Sequence, residues 1–402
     1  MSEFPFLEEA GPRRILAAIA GAGGEARAVG GAVRDTLLGR AAHEIDFAVT
    51  LAPEKTSEAL KKAGIKVVPT GIEHGTVTAV VDHKGFELTT LRRDVETDGR
   101  RAKVAFTDDW QEDAARRDFT INALYVDAAG KIYDYFDGRA DLKAGRVRFI
   151  GDARLRIRED VLRILRFFRF YAWFGKGEAD KEALEACREL AVLLPTLSFE
   201  RVGREVIKLL AAPDPAYAWK LLKGAGALAH ILPDAANIGR LESLISTEKK
   251  YDVAPSAFAR LAALLPKDGA LAAKAAQRLK FSNKESEKLQ RLAVLPDMLV
   301  GKLDPVPFRR ALYEHGSAAA HDAALLYAAE NGAIDLDPAL RVAAEWERPG
   351  FPIQGEDILK LGIEAGPKVG GILRTVEEWW AEKDFRPTRA ECLAEAKRLI
   401  AA

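Results

Sequence analysis

Cysteine is nearly absent: the 402 residues hold two, Cys187 and Cys392, too few for a disulfide framework or a thiolate metal site. Free thiols fit a reducing compartment, so the chain is expected in the cytoplasm, without a disulfide partner. Histidine is scarce as well. The six (43, 74, 83, 230, 315 and 321) are not spaced as ligands, so His321-Asp322 lacks the further His and Asp that a metal phosphohydrolase module needs. No apolar run reaches the roughly 18 residues of a membrane span. Arg13-Arg14 precedes a short apolar stretch, but Glu3, Glu8 and Glu9 lie ahead of it and no cleavage pattern follows. That reads as an amphipathic helix rather than an export signal. Neither sign of charge is in excess, since 60 Lys and Arg balance 60 Asp and Glu. A site for a polyanion must then be a local patch.

One such patch exists. Residues 139–170 carry ten Arg or Lys (139, 143, 146, 148, 154, 156, 158, 163, 166, 169) against four acids (141, 152, 159, 160), a local balance of +6. The texture also changes along the chain. Residues 29–136 alternate or carry β-branched residues in "EIDFAVT", "TVTAVV", "FELTTLR", "NALYVD" and "KIYDYF", with turns such as "DHKG" between them. From about residue 150 Ala, Leu, Glu, Lys and Arg dominate, punctuated by Pro and Gly, which reads as stacked helices. The expected architecture is an α+β head over 1–140, a helical neck over 141–210, and an all-α body and tail over 211–402.

"VGGAVRDTLLGRAAHEIDFAVT" (29–50) holds the first candidate site. Gly30-Gly31 ends an apolar run and opens a helix. That is either a tight strand-to-helix turn or a place where backbone approaches phosphate, with Arg34 one turn in to add a charge-assisted contact. Glu44 and Asp46 are two apart on an expected strand, so both side chains leave one face. Side-by-side carboxylates repel unless a cation shares the site, and Mg²⁺ takes one or two carboxylates plus substrate phosphates. Glu87, in "FELTT", is a third acid among apolar neighbours.

In order, these elements are followed by "RRDFTINAL" (116–124), "DYFDGRADLKAGRVRFIGDA" (134–153), "REDVLRILRFFRF" (158–170) and "LSFERVGREVIKLL" (197–210). Over roughly 25–210 the set resembles the polymerase-beta-type nucleotidyltransferases, and among them the bacterial class II tRNA nucleotidyltransferase and poly(A) polymerase family. A weaker echo is "GEDILKLGIEAGPKVGGIL" (355–373). The resemblance implies a head with a mixed sheet and helices, and Mg²⁺ ions that bridge an attacking 3′-hydroxyl and an incoming triphosphate. It puts Glu44 and Asp46 at the metal-ligand positions, and Glu87 at a third acid that orients or deprotonates the hydroxyl. Gly30, Gly31, Arg34 and Arg117 fall on the nucleotide-contacting side, with Asp118 and Asn122 as ribose or loop partners. The family usually carries Asp where this chain has Glu44, one methylene longer.

The resemblance also implies a role for Glu159-Asp160-Val161-Leu162-Arg163. Asp160 and Arg163 are expected at i and i+3 on one helix, hence neighbours. A carboxylate only accepts hydrogen bonds and a guanidinium only donates them, so the pair matches the edges of C and A and opposes those of U and G. Arg166 and Arg169 are expected to continue the stripe toward triphosphate or the RNA end. The loop "RRDVETDGRRAKVAF" (92–106) resembles one that moves as selection switches from C to A, which implies that all three additions are made. Trp219, Trp346, Trp379 and Trp380 read as core rather than base-stacking platforms. The implied activity is template-independent addition of CCA to tRNA from CTP and ATP with pyrophosphate release, gripping the tRNA 3′ end and acceptor arm. A poly(A) polymerase and a non-catalytic RNA-binding protein are the alternatives.

Overall fold

The computed structural model describes residues 3–68, 71, 75–98, 101–332 and 334–401, with backbone alone for 94–98 and 101–104. The chain forms two compact units, Met1–Pro233 and Asp234–Ala402.

In the first unit, β1 (Ala26–Val29), β2 (Asp46–Val49), β3 (Lys66–Val68), β4 (Thr76–Val81) and β5 (Lys84–Thr90) precede a separate ribbon, β6 (Arg92–Asp98) with β7 (Arg101–Phe106). β8 (Leu124–Val126) and β9 (Ile132–Asp134) complete a seven-stranded sheet in the order β3-β4-β5-β2-β1-β8-β9. Only β2 and β5 pair in parallel; the other pairs are antiparallel, so the sheet is mixed as expected. Asp82 and His83 both take positive φ (48° and 62°) in the two-residue link between Val81 and Lys84. That is the geometry of a type I′ hairpin, whose twist suits the flanking strands. Of the stretch 92–106, read as a loop, residues 92–98 and 101–106 instead form the β6–β7 ribbon; the expected role in base selection falls largely on side chains 94–104, which lie outside the described residues.

Helices α1 (Ala10–Gly21), α2 (Gly31–Leu37), α3 (Pro53–Lys62) and α4 (Trp110–Ala115) accompany the sheet. Then come α5 (Gly138–Ala144), α6 (Ala153–Glu159), α7 (Arg163–Phe174), α8 (Lys181–Leu190), α9 (Phe199–Leu210), α10 (Ala216–Gly224) and α11 (Ala227–Ile231). Acids and serines start many of them: Asp109, Asp152, Asp180 and Ser198 accept from backbone N–H groups of the first turn. Buried Phe167 and Phe170 on α7 meet Phe119, and Phe167 also stacks on Phe149, with ring centroids 4.8 Å apart for Phe119–Phe149 and 5.2 Å for Phe119–Phe170; Phe168 packs edge-on to Phe167. This aromatic seam joins the strand-rich part to the helices and accounts for the apolar half of "REDVLRILRFFRF".

The second unit is helical from Ile238–Lys250 to Arg389–Ala401. It holds a buried ion pair, Arg260 with Glu248 (Nη2 to Oε2 2.7 Å), and a cluster of Ile353, Ile358, Ile372, Val376, Trp380 and Cys392. Trp219 and Trp380 are core, while Trp346 and Trp379 pack against that cluster half-buried. No helix among the described residues is long and apolar enough to cross a membrane. Cys187, on α8, and Cys392, in the second unit, are both free and buried.

Candidate active site

Sheet register assembles the acids. Asp46 opens β2 opposite Val29, the last residue of β1, and lies beside Glu87 of β5 on its other edge. Gly30 follows Val29 directly, so the glycine turn and the carboxylates share one corner of the sheet. Gly30 takes φ +72° and ψ −119°, a conformation that a residue with Cβ resists, and Gly31 then opens α2. Glu44 departs from expectation. The strand starts only at Asp46, so Glu44 sits exposed in the preceding coil with buried Ile45 between them. Its charge still reaches the ledge. The Asp46 carboxyl is pushed up to about 6, first by desolvation, then by repulsion from Glu87 and Glu44, against the opposing pull of Arg117. None of the three acids has an ion-pair partner among the described residues.

Arg117 is the cation whose charge acts on Asp46, and it is tightly held. Its Nε donates to Tyr125 Oη (3.0 Å) and its Nη2 to Asp113 Oδ2 (3.2 Å), while Tyr125 Oη donates to the same Asp113 oxygen (2.7 Å). Arg117 Nη1 lies 3.9 Å from where a Cβ on Gly30 would stand. Burial works to raise the Asp113 carboxyl, but Arg117 and Arg116 overcome it and hold it below the usual range. Asp113 and Tyr125 escaped sequence reading, although Asp113 precedes Arg116 and Arg117 by helical spacing and could have been found that way.

A second chain of contacts joins Arg34 to the neck. Arg34 Nη1 donates to Asn122 Oδ1 (2.6 Å), Asn122 Nδ2 to Asp118 Oδ1 (3.0 Å), and Arg166 Nε to Asp118 Oδ2 (2.8 Å). The Arg34 guanidinium also lies 4.2 Å from the Phe174 ring centroid, and burial lowers its pKa, opposed by Asp35 and Asp118. Arg34, Asn122, Asp118 and Arg166 thus form one connected unit. Arg169 stands apart from it, bound to Glu205 (2.6 Å).

The expected Asp160–Arg163 pair is corrected by the structure. The helix breaks after Glu159: Asp160 is extended (φ −148°, ψ 104°), and its Oδ1 accepts from Leu162 N (3.2 Å). Asp readily satisfies backbone N–H groups in this way, and here that local bond competes with helix continuation. Asp160 and Arg163 therefore do not share a helical turn. Asp160 Oδ2 takes Arg201 Nη2 (2.8 Å), while Arg163 Nη1 goes to Glu159 Oε2 (2.5 Å) and Arg156 O (2.7 Å), and its Nη2 to Arg116 O (3.3 Å). Arg156, counted in the sequence only as one cation of the patch, donates to the carbonyls of Arg116 and Arg117 and pairs with Glu159. The segment that carries Arg117 is thus hung from both sides of the α6–α7 break.

Residues 26–148 match the family described as the Poly A polymerase head domain, and residues 178–238 match "Probable RNA and SrmB-binding site of polymerase A". The mitochondrial CCA tRNA nucleotidyltransferase 1 of Mus musculus is 35% identical, over 98% of this chain and 92% of that protein. This chain belongs to the CCA tRNA nucleotidyltransferase family. The family likeness extends to bacteria: the CCA-adding enzyme of Streptococcus gordonii is 35% identical, with 90% of each chain covered. The Bacillus stearothermophilus CCA-adding enzyme, solved in complex with CTP, superposes with a TM-score of 0.78 at 28% identity, covering 96% of both chains.

Proposed function

We propose that this chain completes tRNA 3′ ends by template-independent addition of C, C and A from CTP and ATP, releasing pyrophosphate. The observation that carries the reading is the register that sets Asp46 beside Glu87 and next to the Gly30 turn. Glu44 and Asp46 would hold Mg²⁺; hard carboxylate oxygens that repel one another and have no ion-pair partner among the described residues suit that ion. Bound there, Mg²⁺ supplies charge stabilisation for the attacking and leaving oxygens. The chain's own residues do the rest. Glu87 orients the attacking hydroxyl or takes its proton. Gly31, Arg34 and Arg117 hold the triphosphate, and Asp118 with Asn122 steadies Arg34 and approaches the ribose. Asp160 and Arg163 read the base edge, Asp160 by exchanging Arg201 for an exocyclic amino group. A mismatched edge leaves buried polar groups unpaired, at about 1–3 kcal/mol each. Arg166 and Arg169 hold that reading segment against Asp118 and Glu205. The helices from 141 onward receive the tRNA acceptor arm, and the two free thiols favour a cytoplasmic setting.

Incubating tRNA that lacks its 3′ end with each nucleotide separately and in combination tests the reading. Incorporation of C, C and A followed by arrest supports it. Long A tails would assign a poly(A) polymerase, which the description of the matched head family also covers. No incorporation would leave a non-catalytic RNA-binding protein.

A further inference from the structure

The +6 patch between residues 139 and 170 counts every cation alike, but the structure divides them. Eight of the ten have carboxylate partners: Arg146 and Arg148 with Asp141, Arg154 and Arg158 with Glu189, Arg156 and Arg163 with Glu159, Arg166 with Asp118, and Arg169 with Glu205. The two left over are Arg139 and Lys143. They are four residues apart on α5, hence on one face, and both line a cavity of about 640 Å³ together with Lys176. None of these three has a carboxylate partner among the described residues. Glu3 is the single acid among the described lining residues, which together carry a net +2.

We infer that this cavity, walled by Leu37, Leu38, Arg139, Leu142, Lys143 and Lys176, binds backbone phosphates of the RNA substrate away from the reacting end. The inference rests on the proposed activity and extends it to a second contact. The frame is fixed. Lys176 N donates to Gly145 O (2.8 Å), and Gly145, at φ +68°, abuts the Lys176 stem so closely that a Cβ there would lie 2.6 Å from Lys176 Cβ. Asp134 anchors the start of α5, accepting from Gly138 N (2.8 Å) and Arg139 N (2.9 Å). No aromatic ring among the described residues lines the cavity, and charge is what it offers to RNA. Its place is also apt. α2 leads from Gly31 at the glycine turn to Leu37 at the cavity, about 9 Å along the helix at 1.5 Å per residue. That separation equals about three nucleotide steps of stacked strand at 3.4 Å each.

The test is equilibrium binding of tRNA lacking its 3′ end to the full chain over a range of KCl, for wild type and for Arg139→Gln, Lys143→Gln and Lys176→Gln combined. Three lost phosphate contacts should lower the slope of log K against log salt by about 2, and weaken binding at moderate salt about tenfold or more. CTP affinity and Tm should stay unchanged. The charge-preserving set Arg139→Lys, Lys143→Arg and Lys176→Arg should restore the slope. An unaltered slope in the neutral variant, or a loss of CTP affinity equal to the loss of RNA affinity, overturns the inference. Wild-type protein that binds no tRNA sinks the proposed activity along with it, whereas wild type that binds while the neutral variant binds equally sinks the subsite alone.

Discussion

The acidic corner of the head and the arginine-rich break between α6 and α7 concentrate opposite charges, and they handle them differently. Among the described residues Glu44, Asp46 and Glu87 have no cation bonded to any of them, and mutual repulsion adds to desolvation in lifting the Asp46 carboxyl. Arg156, Arg163, Arg166 and Arg169 are each matched to a carboxylate. Charge left unbalanced in a fold is kept for something that arrives, and balanced charge holds the fold itself. The arginines of "REDVLRILRFFRF" belong first to the second kind. They fasten the segment around Arg117, while the Phe side of α7 is buried.

The contrast can be broken from its strongest point downward. Asp46→Asn should reduce nucleotide transfer by about 10³-fold, measured as CMP incorporation, while leaving the chain folded. Its pH signature has a definite sign. A carboxyl whose folded pKa is raised binds its proton more tightly when folded than when unfolded, so metal-free protein gains stability as pH falls from 7 through about 6 towards 4. Tm measured in EDTA should show that gain in wild type, and the part due to Asp46 should vanish in Asp46→Asn. Asp118→Asn strikes the balanced side. It removes the charge that holds Arg166 against buried Asp118, and denaturant titration should show a loss of roughly 3 kcal/mol. Asp160→Ala lies between the two kinds, since Asp160 is bonded to Arg201 yet proposed to read bases. UTP incorporation relative to CTP should rise about tenfold with CTP KM little changed. A purely structural Asp160 would instead lower Tm without altering base choice. Smallest of all, Tyr125→Phe should cost about 1 kcal/mol of stability, and by loosening Arg117 it should raise the KM for CTP more than it lowers kcat.

Much of the head was readable because its signals are local. Alternation marked β2, β4 and β5, but it put Glu44 and Asp46 on one strand face, whereas the carboxylates that the sheet sets side by side are Asp46 and Glu87, across the β2–β5 register. Three things were not readable, each for a physical reason. The α6–α7 break hinges on whether one Asp carboxylate prefers a backbone N–H two residues on, a choice that helical periodicity does not encode. Glu189 and Glu205, which neutralise part of the neck, lie 35 and 36 residues beyond Arg154 and Arg169 in the chain, so a windowed charge count overstated the patch. Residues 211–233 look like the helices that follow them, and only packing groups them with the first unit.

Each compact unit contains one of the chain's two thiols, Cys187 in the first and Cys392 in the second, and both are sealed from solvent. The molecule therefore carries a pair of silent reporters. A maleimide dye can attach only when the surrounding helices open, so the mass of each labelled peptide over time would tell which unit comes apart first, with no engineered probe.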